Sequence, residues 1–413
     1  MLRKILLFPL LGGVSFSLSL QSALERAIEN NLQIKAQYHR YKAAKNDFYA
    51  QIAKRFGEVD IFWRYTQYKY GRVVAPLFPP TSALDDQIRV YGFRYGVRLF
   101  DGCGQFFLIK AKGDTAGLER LNLEKISQEV KRDVKKLYFS ALAVKAQIET
   151  LRERKKEVES LYRIVKTAYE VGKRSLLDLL NVKAELKNVD AAIATAKANY
   201  SAILNNLKVL LNTDKPVEVE DIRVSPRRFE VKNLIPLLLE KNPDLKVVSK
   251  QKKIVDDYRR VALSQFSPKV DFSYTNQRYV FAGRKVSDWA YTISVSFPIF
   301  DFGNRVFNYL KASHEEKRVE ELRKLVHKKV LEDLLTAVKK LNSQLEVIEA
   351  NRKRLEFAKE AYRVEKEKYQ TGKSDIYNLL KAETLYYQAL SDYRTSVYKW
   401  GELKAELDYL LGR

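Results

Sequence analysis

The sequence predicts a membrane protein of mixed α and β class, built as two repeats that each hold a helix, a β-hairpin and a long coiled-coil helical hairpin. Three observations carry this. The segment Tyr169 to Leu180 recurs 200 residues later as Tyr369 to Leu380, with Gly172 matched by Gly372 and Leu179-Leu180 by Leu379-Leu380. Apolar residues on both sides of each copy recur at alternating steps of three and four, the heptad pattern of packed helices. Between those helices lie two pairs of stretches with period two, the pattern of strands whose two faces meet different media. Self-similarity at this scale means that the two halves fold alike.

At the N-terminus, Arg3 and Lys4 precede an apolar run from Ile5 to Val14 and then Ser15, Ser17 and Ser19. This is the layout of a secretory signal peptide over 1–19, with cleavage near Ser17 to Ser19. The run is shorter than the roughly 20 apolar residues that span a bilayer, and Pro9 breaks it. The first repeat, 20–211, opens with a helix from Ser22 to about Arg55, interrupted at Asn30-Asn31. Strands follow at about 59–70 and 88–99. One parity holds Val59, Ile61, Trp63 and Tyr65, then Tyr91, Phe93, Tyr95, Val97 and Leu99; the other carries Asp60, Arg64, Arg94 and Arg98. Gly71 to Gln87, with Pro76, Pro79 and Pro80, reads as the loop between them. After Phe100-Asp101-Gly102, a helix with its seam at Val130, Val134, Leu137, Ala141, Val144, Ile148 and Leu151 runs to Tyr169. That is about 65 residues, or on the order of 100 Å. Gly172 supplies the positive φ that a reversing helix needs, and the returning helix carries Val182, Leu186, Val189, Ile193 and Ala196 on its seam.

Residues 212–230, with Asp214, Pro216 and Pro226, read as the linker between repeats. The second repeat, 231–413, keeps the order of the first. Asn242 matches Asn31; strands fall at about 270–281 and 289–299 with a short loop at 282–288; Pro298-Ile299-Phe300-Asp301-Phe302-Gly303 marks the strand exit; and the hairpin turns at Gly372. Its returning helix repeats the first seam at a displacement of 200, from Leu379 to Leu410.

Composition narrows the function. A net charge of +24 suggests phosphate binding at first sight, yet 75 basic residues are interleaved with 51 acidic ones along helices, without a basic block or an RNA-binding motif. Solvated helix faces account for the charge, and no nucleic-acid partner is expected. The single Cys103 excludes an intramolecular disulfide. His39, His314 and His327 lack metal-ligand spacing and no Gly-rich phosphate loop follows a strand, so neither an enzyme nor a cofactor or metal is expected.

Four strands with lipid on one face cannot satisfy their edges alone, so the chain must oligomerise. Three copies supply a twelve-stranded β-barrel, a homotrimer closed by rotation in outer-membrane lipid, and the helices continue as an α-helical tunnel. At this point the residues resemble the TolC family of outer-membrane efflux ducts. The resemblance rests on the two strand exits, Phe100-Asp101-Gly102 and Pro298 to Gly303, and on the duplicated tips, and it covers nearly the whole chain after the signal. It implies a passive exit duct of a tripartite efflux or type I secretion system, reaching from the outer membrane into the periplasm. It also implies docking by the tips onto a periplasmic adaptor (membrane fusion) protein and an inner-membrane efflux pump or ABC exporter.

The resemblance assigns docking to Val171, Gly172 and Lys173 and to Thr371, Gly372 and Lys373. It assigns a gate at the tunnel mouth to a hydrogen bond from Tyr369 to Asp178. Where the family has a gating Arg this chain has Ser374, and where it has constriction carboxylates the chain has Asn378 and Lys381. With Arg94 and Arg98 on the inward parity, these departures imply a pore that is neutral or favours anions. The cargo stays open between drug, protein and metal. A rival reading also stays open: a soluble or surface-associated coiled-coil binding protein for anionic polymers, which leaves four aromatic strands without a purpose.

Overall fold

The computed structural model describes residues 16–73 and 84–413. In chain order its elements are β1 (Phe16–Leu18), α1 (Leu20–Asn30), α2 (Leu32–Ala53), β2 (Glu58–Val73), β3 (Leu84–Phe100), α3 (Gly104–Glu170) and α4 (Leu176–Leu211). Then come β4 (Val217–Val219), α5 (Val231–Lys241), α6 (Pro243–Ser264), β5 (Lys269–Phe281), β6 (Arg284–Ser296), α7 (Asn304–Gln370) and α8 (Ile376–Leu410). The chain divides into two compact units: residues 37–123 and 244–327 carry the four long strands, and the remainder carries both helical tips.

In the strand unit, β2, β3, β5 and β6 form one antiparallel sheet in that order. Val59, Tyr95, Tyr274 and Tyr291 stand opposite one another across all four strands, and Ile61, Phe93, Asn276 and Trp289 form the next row on the same face. Side chains alternate with period two, so a register that aligns one apolar row aligns them all. That face is bare: Ile61 is 89% exposed and Trp63 68%. The other face carries the row Asp60, Arg94, Thr275 and Ala290.

Strand limits depart from the expected ones in the second hairpin. Its loop is two residues, Ala282 and Gly283 with φ 44° and 71°, the paired positive φ of a turn whose twist matches that of the strands it joins. Strand β6 therefore begins at Arg284 and not near 289, and it stops at Ser296, short of Pro298, which has no N–H to give to a ladder. In the first hairpin β2 runs on to Val73 and β3 begins at Leu84, so 71–73 and 84–87 of the expected loop are strand, and residues 74–83 lie outside the described residues.

In the helical unit, two stretches that the sequence assigns to the leader and the linker pair with each other. Phe16–Leu18, counted with the leader from sequence, form β1 in parallel register with β4, which lies inside the expected linker. The buried Tyr138 hydroxyl stands 2.8 Å from the Leu18 carbonyl and 2.9 Å from that of Glu220, and donates to one or the other. Ser19 caps α1 by accepting from the Ser22 N–H. Residues 1–15 of the expected leader lie outside the described residues.

The break at Asn31 has a physical cause. Its side-chain oxygen accepts from the Gln33 and Ile34 N–H groups at the start of α2, while its amide donates to the Leu210 carbonyl at the end of α4 (3.0 Å). Asn242 repeats the staple on Leu410 at 3.0 Å. The predicted seam is buried at Val130, Val134, Ala141 and Ile148, with Tyr138 taking the place expected of Leu137. Val182, Val189, Ala196 and Leu207 continue it on α4, and Ala389, Ser396, Trp400 and Leu407 on α8.

Candidate functional site

The two tips share one backbone design. Past α3, Gly172 at φ 73° lets its own N–H donate to the Tyr169 carbonyl (2.9 Å) and that of Lys173 to Ala168 (2.8 Å). Past α7, Gly372 at φ 71° gives the same pair, to Tyr369 (3.2 Å) and Lys368 (2.8 Å). This arrangement satisfies the last carbonyls of a helix and needs a left-handed residue at its centre. Each return helix is then capped. Ser175 accepts from the Asp178 N–H (3.1 Å) while the Asp178 carboxylate accepts from the Ser175 N–H (3.4 Å); Asp375 accepts from the Asn378 N–H (2.8 Å). Val171, Gly172, Lys173, Thr371, Gly372 and Lys373 are all exposed, and open space surrounds the position of a Cβ on either glycine.

The side chains between the tips differ from the expected gate. Tyr369 is buried, with the Arg174 guanidinium 4.3 Å from its ring centroid and Arg174 Nη2 donating to the Tyr369 carbonyl at 3.4 Å. Among the described residues no hydrogen bond joins Tyr369 to Asp178; the Asp178 carboxylate accepts instead from the Ser175 N–H of its own helix cap. Asp178 still acts through space. Burial raises the Tyr369 hydroxyl above its ordinary pKa, Arg174 pulls it back and Asp178 pushes it further up. Ser374, which stands where the family has its Arg, donates to Glu365. Sequence reasoning missed Arg174, although the signal was present: it lies two residues after Gly172, as Ser374 does after Gly372. Asn378 and Lys381 are exposed on the first turns of α8.

Behind the tips, Val158, Val165, Val182, Val189, Ile376 and Leu379 close an apolar cluster around Tyr369. Beside it lies a group of ionisable residues. Glu157 accepts from the Tyr362 hydroxyl (3.0 Å) and from Lys366, and these bonds hold its carboxyl below the usual range. Arg154 donates to Glu185 and to Thr384. Glu383 is fully buried, and its carboxyl is pushed up to about 8, first by burial and also by Glu185 and Glu157, with Arg154 and Lys366 opposing.

In the strand unit, both arginines expected to line the pore are paired. Arg94 Nη2 lies 3.0 Å from Asp60, its partner across β2, and Arg98 Nε lies 2.8 Å from Asp271, its partner across β5. Each of these two positive charges thus has a carboxylate beside it on the same face.

A sheet with a bare aromatic face, together with a duplicated pair of capped helical hairpins, defines a duct subunit of the outer membrane. The chain belongs to the outer membrane efflux protein family, whose model matches residues 23–213 and 234–413 and so takes in both repeats. Its fold is that of solved outer-membrane channels. The outer membrane protein VceC of Vibrio cholerae is 15% identical with a TM-score of 0.82, over 95% of this chain and 96% of that one. The CmeC outer membrane channel of Campylobacter jejuni is 16% identical with a TM-score of 0.82, over 95% and 85%. The open state of the Neisseria gonorrhoeae MtrE outer membrane channel is 17% identical with a TM-score of 0.78, over 95% and 88%. A search of curated proteins finds no match. The chain is thus an outer-membrane efflux channel, which sets aside the soluble binder of anionic polymers.

Proposed function

We propose that three copies of this chain close a twelve-stranded barrel, and that the glycine tips dock a periplasmic adaptor fed by an inner-membrane efflux pump or ABC exporter. The observation that carries the reading is the bare aromatic face of a sheet whose outer strands, β2 and β6, have no partner on one side among the described residues. Unpaired edges and exposed aromatics are unfavourable in water, and closure within lipid resolves both. Docking is supported by the open space around Gly172 and Gly372, which lets a partner backbone approach closely, and by exposed apolar residues at the first tip, Val171, Leu176 and Leu177.

Within each copy, Arg174 over the Tyr369 ring acts as the latch between the hairpins, in place of the Tyr369 to Asp178 bond. Cation–π contacts of this kind are worth about 0.5–2 kcal/mol, enough to bias a gate without locking it. The strand portion of the pore adds little charge selectivity, since Arg94 and Arg98 are paired; Lys381 and Asn378 at the mouth supply what selectivity there is. Cargo choice between drug, protein and metal belongs to the pump.

The test is photo-cross-linking in cells that co-express an adaptor. A cross-linking residue at Val171 or Thr371 captures the adaptor, and one at the exposed Phe357 on α7 does not. Replacement of Gly172 and Gly372 by Val abolishes capture and export. Unchanged cross-linking and export in that double variant would falsify tip docking, and a monomeric mass in detergent would sink the barrel.

A further inference from the structure

The helices behind the tips enclose a cavity of about 600 Å³, a size that suits a drug-like molecule. Leu161, Val165, Ala168 and Leu379 give it apolar walls; Glu157, Lys366 and Glu383 give it a polar side, and Arg174 and the exposed Lys173 also line it. Glu383 is 1% exposed, and its Oε1 makes no hydrogen bond. The adjacent cation is Arg154, with Nε at 3.8 Å, but that guanidinium donates to Glu185 and Thr384. Lys366 is engaged by Glu157, and Arg174 by the Tyr369 ring and carbonyl. Glu157, Glu185 and Glu383 thus share Arg154 and Lys366, and the group left over is an acceptor.

We propose that this cavity binds a small amphipathic amine, whose ammonium donates to Glu383 Oε1 while its apolar body lies against Leu161, Val165 and Leu379. Beside Glu383 an anion is disfavoured, because it would face the Glu383 and Glu157 carboxyls while the neighbouring Arg154 and Lys366 are already engaged. The site lies between helices of one chain and needs neither adaptor nor pump, so it stands apart from the docking reading.

The groups facing Glu383 are Arg154 and Glu157 from α3, Glu185 from α4, Lys366 and Tyr362 from α7, and Tyr387 from α8 itself. With the cavity empty, the carboxyl pushed up to about 8 holds a proton at neutral pH. An incoming ammonium replaces that proton. Binding therefore releases one proton, and affinity rises with pH, approaching tenfold per unit, until Glu383 is ionised beforehand.

Titration calorimetry of naphthylmethylamine into the detergent-purified protein, in two buffers of different ionisation enthalpy at neutral pH, tests this. Saturable binding with about one proton released per site is expected. Glu383→Gln, which keeps the neutral shape of the protonated acid, binds at least tenfold more weakly and releases none. Ala168→Phe, which fills the cavity, loses binding. Equal affinity in Glu383→Gln marks partitioning into detergent and overturns the site, as does binding without proton release or no binding at all. Thermal unfolding of both variants at acidic pH verifies that they are folded.

Discussion

The two hairpin tips have the same backbone and different chemistry. Gly172 and Gly372 differ by two degrees in φ, and both return helices are capped by a side-chain oxygen. Yet Arg174 reaches across to Tyr369 while Ser374 turns back to Glu365, and the buried Glu383 of α8 stands where α4 has the exposed Lys183. A reversing helix imposes one shape on any sequence, because its last carbonyls and first N–H groups must be satisfied. Nothing in that shape constrains side chains that point between hairpins, and after duplication those are free to take separate roles.

The largest expected effect separates Glu383 from Lys183. A carboxyl raised from 4.5 to about 8 favours the folded state fully below about pH 4.5, and that stability is lost as pH rises through about 8. The loss is on the order of 4 kcal/mol for a group this buried. Glu383→Gln removes the dependence, so the melting temperature of the variant exceeds that of the parent at alkaline pH and matches it at acidic pH. Lys183→Gln leaves the profile unchanged. Parallel profiles for Glu383→Gln and the parent would mean that the two positions are equivalent after all.

A smaller effect distinguishes Arg174 from Ser374. Arg174→Ala removes the contact over Tyr369 and raises open probability in planar-bilayer recordings by about five- to twentyfold, the equivalent of roughly 1–2 kcal/mol. Ser374→Ala changes it far less. Should Asp178→Ala open the channel as much as Arg174→Ala does, the gate lies on Asp178 and the latch assigned to Arg174 is wrong.

The smallest effect is one in which the tips agree. Ser175→Ala and Asp375→Ala each remove a cap worth about 1 kcal/mol, and both speed amide exchange in the first turn of the helix concerned by about fivefold. Unequal acceleration would show that the shared backbone is less alike in solution than its hydrogen bonds imply.

Much of the architecture was legible because its causes are local. The aromatic parity of Val59, Ile61, Trp63 and Tyr65 is the face left bare, and Asn31 interrupts a helix because its side chain can serve two helix ends at once. The candidate site was legible in outline, at Tyr369 and the two glycines. Other features were not. A three-residue strand such as β1 offers no period to read, and its partner β4 lies 201 residues away in a stretch marked by prolines. The pairing of Arg94 with Asp60 and Arg98 with Asp271 depends on cross-strand register, which the parity of a single strand does not specify.

By itself the sequence determined the duplication, the element order, the tips and the two-faced strands, since helical period, strand period and the demand for positive φ all act within a few residues. The tertiary structure decided which member of each duplicated pair is buried and which charge finds a partner. Those outcomes rest on the rotation of one long helix against another, and a shift of one position carries Glu383 into the seam while Lys183 stays in solvent. That rotation is set by packing between segments far apart in the chain, where no local pattern reaches.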